Sequence, residues 1–339
     1  MSGRYGKIKR HDLKNSIEKE YRISIKSMHE SDRGILAYTD RGIKLVRQLK
    51  KEDSKILFAA SAYEYLQSRG FANISAINRT EAGKCFFEYN GEAYVVQDYV
   101  NGRVFKVYTA EDSALAGRNL AQFHQACVGF TPASGCRARV DWGRWMEKFK
   151  AQAIYIRKHI EIVEAKTEPS RFDRLFLKYA GDFHEKMYGA YLILKKHNYM
   201  GKVHDSMNCN QLTHKEFKKH AVIESDQGGL FITNMENCGY DIVEVDIATL
   251  LESFSGSNRD ELVLAALKGY SEVTPLDYDS IKIIQAFLVE PKKFYKIIQK
   301  YYGRKNDCTE SETVTKLERC VRRENKKDEL ICLLEDYKL

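Results

Sequence analysis

The sequence predicts an α+β protein of two lobes, a small antiparallel sheet over residues 1–100 and a larger helical body over residues 101–339. Three observations carry that prediction. Before residue 100 apolar and polar residues alternate in short runs, the period of half-buried strands, with one helical stretch among them. After Gly102 the apolar spacing changes to three and four, the period of amphipathic helices. Within the helical part, a polar stretch from Gly201 to Asn210 precedes a short strand pair. Strands, connector, helices, polar loop and hairpin, in that order, suggest a kinase-type fold.

The elements follow in turn. Tyr21 to Lys26 alternates Tyr, Ile and Ile with Arg, Ser and Lys and reads as a strand. Gly34 to Thr39 and Ile43 to Leu49 are two more, joined by the turn Thr39-Asp40-Arg41-Gly42. From Ile56 to Arg69 the residues Ile56, Leu57, Ala60, Tyr63 and Leu66 mark an amphipathic helix closed by Gly70. Cys85 to Tyr89 and Ala93 to Tyr99 flank Asn90-Gly91, a strong hairpin signal because both turn residues tolerate positive φ. Val100-Asn101-Gly102 is the break between lobes. Beyond it, Asp112 to Cys127 sets Leu115, Leu120, Phe123 and Cys127 on one helical face, and Phe183, Met187, Tyr191 and Leu194 line another that ends near Asn198. Gly201 to Asn210 is too polar for a core element and reads as a loop. Ala221 to Glu224 and Leu230 to Thr233 are strands turned by Gln227-Gly228-Gly229. Helices dominate after Asp246, among them Ile281 to Leu288 and Lys292 to Tyr302.

Composition excludes several classes of protein. A chain of 339 residues with 43% hydrophobic and 12% aromatic residues is globular rather than disordered, and 4 prolines argue against long linkers. No run approaches the ~18 apolar residues of a membrane span, so none is expected. Met1 to Lys19 is basic and lacks the apolar centre of a secretory signal, which predicts a cytoplasmic protein. The 8 cysteines contain no C-x-x-C pair, so neither a zinc site nor a disulfide framework is expected. The net charge of +8 gathers at the two ends, with 15 Lys/Arg against 8 Asp/Glu over residues 1–55 and 12 against 6 over residues 292–328. No aromatic-interleaved basic motif accompanies it, so nucleic acid is not the expected partner; solvated faces or docking onto acidic protein surfaces are.

Several segments together resemble one family. They are Leu120-Ala121-Gln122-Phe123-His124 continuing to Gly129-Phe130, the connector Tyr94 to Gly102, and Phe287 to Phe294 followed by Tyr301-Tyr302. Over roughly residues 20–335 the chain resembles the CotS family of bacterial spore coat proteins, relatives of aminoglycoside and choline phosphotransferases. The resemblance implies a bilobal protein-kinase-like fold, ATP and Mg²⁺ as possible cofactors, and other spore coat proteins as partners. It also implies manufacture in the mother-cell cytoplasm and assembly into the coat.

The same resemblance assigns the site. The catalytic-type loop would be residues 203–210, with Asp205 accepting or orienting the hydroxyl proton and Asn210 on the metal. The family's histidine is replaced by Val203, with His204 adjacent. The metal-type segment would be residues 232–238, where Asn234 stands in place of the metal-ligating aspartate and Glu236 in place of the second acid. A neutral amide is a poor substitute where a hard cation calls for carboxylate oxygen. Arg47 occupies the place of the phosphate-gripping lysine, with Glu64 as its candidate ion-pair partner. Lys44, three residues earlier in the strand, points to the opposite face. Gln97, Asp98 and Tyr99 of the connector would face the nucleotide, and Asp246 would brace the catalytic loop. Departures at Val203, Asn234 and Arg47, with the frame retained, favour a structural or interaction component of the coat with a degenerate phosphotransferase site. The alternative is an ATP-dependent kinase acting on a small molecule or coat protein. A third reading is a module that binds ATP without turnover.

Overall fold

The computed structural model describes residues 10–49, 53–75, 77–218, 221–254, 259–303 and 308–335, so the first nine residues of the basic N-terminal stretch lie outside it. The chain divides into two compact units. One comprises residues 1–106, 122–140 and 210–240; the other comprises residues 107–121, 141–209 and 241–339. The boundary expected near residue 100 thus falls inside the first unit, which also takes in the metal-type segment.

In the first unit, helix α1 (Arg10–Tyr21) leads into a five-stranded sheet of β1 (Ile25–Ser31), β2 (Gly34–Thr39), β3 (Gly42–Leu49), β4 (Phe87–Tyr89) and β5 (Glu92–Asp98). The strand order is β1-β2-β3-β5-β4, antiparallel throughout. The strand expected from Tyr21 therefore starts at Ile25, and Tyr21 closes a helix. Leu13, Ile17 and Tyr21, four residues apart on α1, are buried with Ile25, Ala37, Val46, Phe87 and Val96. The alternation from Tyr21 to Ile25 reflects real burial, but Arg22 has φ 44° and breaks the backbone between helix and strand. Gly34 is required where it stands: at φ 141° any Cβ would lie 2.7 Å from the Val46 carbonyl oxygen on β3. At the other hairpin Asn90 and Gly91 have φ 53° and 74°, the positive pair of a type I′ turn.

Helix α2 (Asp53–Ser68) buries Ile56, Phe58, Ala59, Ala60, Ala62, Tyr63 and Leu66, more than one stripe, as befits a helix covered on several sides. The unit's remaining strands are β6 (Gly102–Val104), β7 (Leu212–Thr213), β8 (Val222–Ser225), β9 (Leu230–Ile232) and β10 (Gly239–Tyr240). They form a three-stranded sheet, β6-β8-β9, and a two-stranded one, β10-β7. A single 3₁₀ turn, Met235–Asn237, follows β9.

Helix α3 (Ala110–Cys127) buries Ala116, Leu120, Phe123 and Cys127; Leu115, expected on that face, is 41% exposed. The second unit is helical: α4 (Arg144–Glu164), α5 (Arg171–Lys196), α6 (Tyr199–Asn208), α7 (Glu244–Glu252), α8 (Arg259–Ser271), α9 (Tyr278–Val289), α10 (Lys292–Tyr302) and α11 (Glu310–Glu335). Its core joins Phe149, Ile156, Phe176, Met187, Ile283 and Leu317, with Phe183 stacked on Phe294 at 4.0 Å between ring centres. Helix α6 corrects the expectation of a loop over residues 201–210. Tyr199, Val203 and Ser206 recur at four and three and are buried, while His204, Asp205, Met207 and Asn208 face water. One buried residue per turn is enough to dock a helix, but it leaves the segment reading as polar.

Candidate functional site

The geometry centres on Arg47. Its side chain leaves the middle strand β3, and its Nε and Nη2 donate to Gln97 Oε1 on β5 at 3.1 and 2.7 Å. Nη1 donates to Asn234 Oδ1 at 2.9 Å, and Nη2 also pairs with Glu236 Oε1. Asn234 adopts the left-handed conformation, φ 62° and ψ 41°, which Asn tolerates better than most residues. That kink starts the 3₁₀ turn, and buried Met235 pins it: the Met235 N–H donates to the Tyr63 hydroxyl on α2 at 3.3 Å. Sheet, helix and turn therefore deliver five side chains to one place.

Within the cluster the charges oppose one another. The Arg47 and Glu236 side chains are 15% and 17% exposed, so their attraction is weakly screened and each would be costly to leave without the other. Gln97 is 2% exposed and supplies a neutral acceptor. Burial, followed by the Glu236 charge, pushes the Tyr63 hydroxyl up to about 12, with Arg47 opposing, so it remains a neutral phenol. Magnesium does not fit this donor set. The oxygens offered at Asn234 and Glu236 both already accept from a guanidinium, and only one of the two residues can carry charge.

The other two connector residues are engaged in the same way. Asp98 Oδ1 accepts from Lys44 Nζ and, at 3.1 Å, from Asn78 Nδ2. The Tyr99 ring lies under Arg33, whose guanidinium carbon sits 4.3 Å from the ring centre while both terminal nitrogens donate to the Val100 carbonyl at 3.2 and 3.3 Å. So Gln97, Asp98 and Tyr99, the residues assigned to nucleotide, each carry a cation of the same unit: Arg47, Lys44 and Arg33.

Glu64 corrects the sequence expectation. It does not meet Arg47; its two oxygens take Arg79 Nε and Nη2 at 2.7 Å each. Helix α2 turns Tyr63 inward, and a residue one step further along a helix points elsewhere. Asn210, at φ 47°, is exposed and its side chain makes no hydrogen bond among the described residues. Asp205 belongs to the second unit, exposed on α6. Its neighbour Ser206 anchors that helix, accepting from Trp142 Nε1 at 2.8 Å and donating to the Asp241 carbonyl at 2.7 Å. The buried Asp241 carboxylate takes Trp145 Nε1 at 2.9 Å. Asp246, expected as a brace, is fully buried in the first turn of α7. Sequence reasoning passed over Tyr63, Arg33 and Asp241. Of these only Tyr63 was named, as one of the apolar positions of its helix.

The family model described as "Spore coat putative kinase YutH" matches residues 14–333. The chain belongs to that family. Spore coat protein S of Bacillus subtilis strain 168 is 24% identical over 268 residues, which cover 78% of this chain and 75% of that protein. Among solved structures, an aminoglycoside phosphotransferase from Alicyclobacillus acidocaldarius superposes with a TM-score of 0.77 at 16% identity, covering 95% of each chain. Spectinomycin phosphotransferase APH(9)-Ia, solved with ADP and spectinomycin, gives a TM-score of 0.65 at 14% identity, over 94% of this chain and 98% of that one. The spore coat family member thus has the α+β, kinase-like fold of the aminoglycoside phosphotransferases. No helix among the described residues is long and apolar enough to cross a membrane.

Proposed function

We propose that this family member is a structural or interaction component of the spore coat whose phosphotransfer site has become an internal ionic clasp. The observation that carries the reading is the Arg47 side chain joined at once to Gln97, Asn234 and Glu236. Phosphoryl transfer needs a metal on carboxylate and phosphate oxygens, because stabilising the charge of the moving group is most of the catalysis. Here the remaining carboxylate is neutralised by a built-in cation, and breaking a pair this poorly exposed to admit magnesium opposes binding. The Arg33 stack on Tyr99 and the Lys44 pair with Asp98 add the same obstacle at the connector. The relatives solved with nucleotide keep that property as theirs. Coat membership of spore coat protein S supports a coat location for this chain, reached from the mother-cell cytoplasm. Its basic character suits acidic surfaces of other coat proteins.

The test is turnover. Purified full-length protein with ATP and magnesium should release no phosphate above background. Arg47→Lys combined with Asn234→Asp should create magnesium-dependent ATP binding, which at about 100 times its Kd adds about 2.7 kcal/mol of stability to a thermal melt. Steady magnesium-dependent ATP consumption by the natural chain, abolished by Asp205→Asn, would overturn the proposal in favour of an active kinase.

A further inference from the structure

A second charged region lies wholly within the second unit and owes nothing to the Arg47 clasp. Helices α10 and α11, with Cys308 just before α11, line an open cavity of about 430 Å³, within the size range of small-molecule sites. Six cations line it: Lys293, Lys296, Lys300, Lys316, Arg319 and Arg323. On α10 the lining residues 293, 296, 297 and 300 recur at three and four, and on α11 residues 313, 316, 320 and 323 do the same, so two helical faces are committed to it. The other lining residues, Ile297, Cys308, Thr313 and Cys320, are uncharged, and Thr313 and Cys320 are buried enough to serve as a floor.

Among the described residues no carboxylate lines the cavity, although α11 carries several. Glu310 accepts the Phe172 N–H at 2.9 Å, Glu312 accepts the Thr309 N–H at 3.0 Å, and Glu324 pairs with Lys327 at 3.3 Å. Among the described residues Lys300, Arg319 and Arg323 make no ion pair, while the charge of Lys293 acts on Glu252 and Lys316 donates to Cys308 Sγ at 2.7 Å. Like charges gathered on a concave wall repel one another, and their field focuses in the hollow, where it favours an anion. Arginine forks bind planar oxyanions in pairs, lysines act as point charges, and the apolar floor suits a carbon body.

We infer that this cavity is a binding site for a small organic anion bearing two or more phosphate or carboxylate groups on an apolar body. The charges meet the lysines and arginines at the rim, and the body rests on Ile297 and Cys320. The inference is independent of the reading of the Arg47 site.

The experiment is calorimetric titration of the full-length chain without divalent metal. The probes are ATP for the phosphate class, benzene-1,3,5-tricarboxylate for the carboxylate class, and uncharged adenosine. Either anion should bind once, with Kd below about 1 mM, more weakly as salt rises. Adenosine should not bind. Lys300→Glu with Arg319→Glu reverses two exposed charges and should weaken the bound anion about tenfold or more. Lys300→Gln with Arg319→Gln should weaken it less, and a melting curve for each variant checks the fold. Absence of binding by both anions overturns the site. So does binding that survives charge reversal, which would place the anion elsewhere. Binding of a poly-glutamate peptide with neither small anion would also overturn it, marking a peptide groove instead.

Discussion

Around Arg47 the positive charges have oxygens against them; between α10 and α11 six positive charges converge, with no carboxylate among the described residues of the wall. The same residue types are used to opposite ends. Where a guanidinium is shut away with an amide and a carboxylate, the charges hold backbone segments together and leave little for a ligand. Where cations crowd one concave face, the molecule carries a repulsion that an anion from outside would lessen. Matching, more than charge density, separates a structural cluster from a binding surface.

Substitution on the two sides should therefore have opposite consequences, and this is the largest effect expected. Glu236→Ala leaves Arg47 poorly hydrated with its strongest partner gone, and should cost about 3 kcal/mol in urea unfolding. Lys300→Ala should change stability by less than about 0.5 kcal/mol, or raise it, because an exposed cation leaves a crowd of its own sign. Equal losses at the two positions would erase the distinction.

A smaller effect tests whether matching matters in the second unit as well. Asp173 is 1% exposed on α5 and accepts from Lys166 Nζ at 2.7 Å, from the Ser170 N–H at 3.0 Å and from the Tyr302 hydroxyl at 3.0 Å. Burial alone would raise its pKa, but these donors outweigh burial and hold the carboxyl below the usual carboxylate range. The folded protein then binds fewer protons here than the unfolded chain. The stabilisation is fully present above the unfolded carboxylate pKa and is lost as pH falls through the lower, folded value. Asp173→Asn should cost about 2 kcal/mol at neutral pH. Its difference from the natural protein should narrow as the solution is acidified below the ordinary carboxylate pKa. A gap that stayed constant with pH would mean the carboxylate charge is not what the three donors recognise.

The sequence made the sheet and the positions around Arg47 legible for a physical reason. Strand alternation and Asn90-Gly91 are local signals; Arg47 and Asn234 stood out because they occupy places where the resemblance calls for other chemistry, and Glu236 because it keeps the place of an acid. What the sequence left hidden depends on direction in space. Helix α6 buries one residue per turn, so its polar majority concealed Tyr199, Val203 and Ser206. Helix α1 buries Tyr21 in the same register that a strand would, and only the positive φ at Arg22 separates the two. Glu64 was the reasonable partner for a strand cation, yet a helix rotates about 100° per residue, and the inward position fell to Tyr63. The cavity between α10 and α11 was foreshadowed only by the basic count over residues 292–328, since no count says which charges share a wall.

The smallest expected effect separates matching from burial. Glu64 and Arg79 form a two-pronged pair as well aligned as any at Arg47, but their side chains are 35% and 49% exposed. Water already solvates both ends, so Glu64→Ala should cost only about 0.5 kcal/mol and less as salt rises. A double-mutant cycle sharpens the point. Glu64→Ala and Arg79→Ala should couple by about 0.5 kcal/mol, whereas Glu64→Ala and Arg47→Ala should be additive, because the two side chains share no partner. Coupling between Glu64 and Arg47 would restore the kinase-style strand–helix ion pair that the geometry assigns to neither residue. It would also mean that Arg47 can leave Asn234 and Glu236, and with that freedom the case for a closed site would fail.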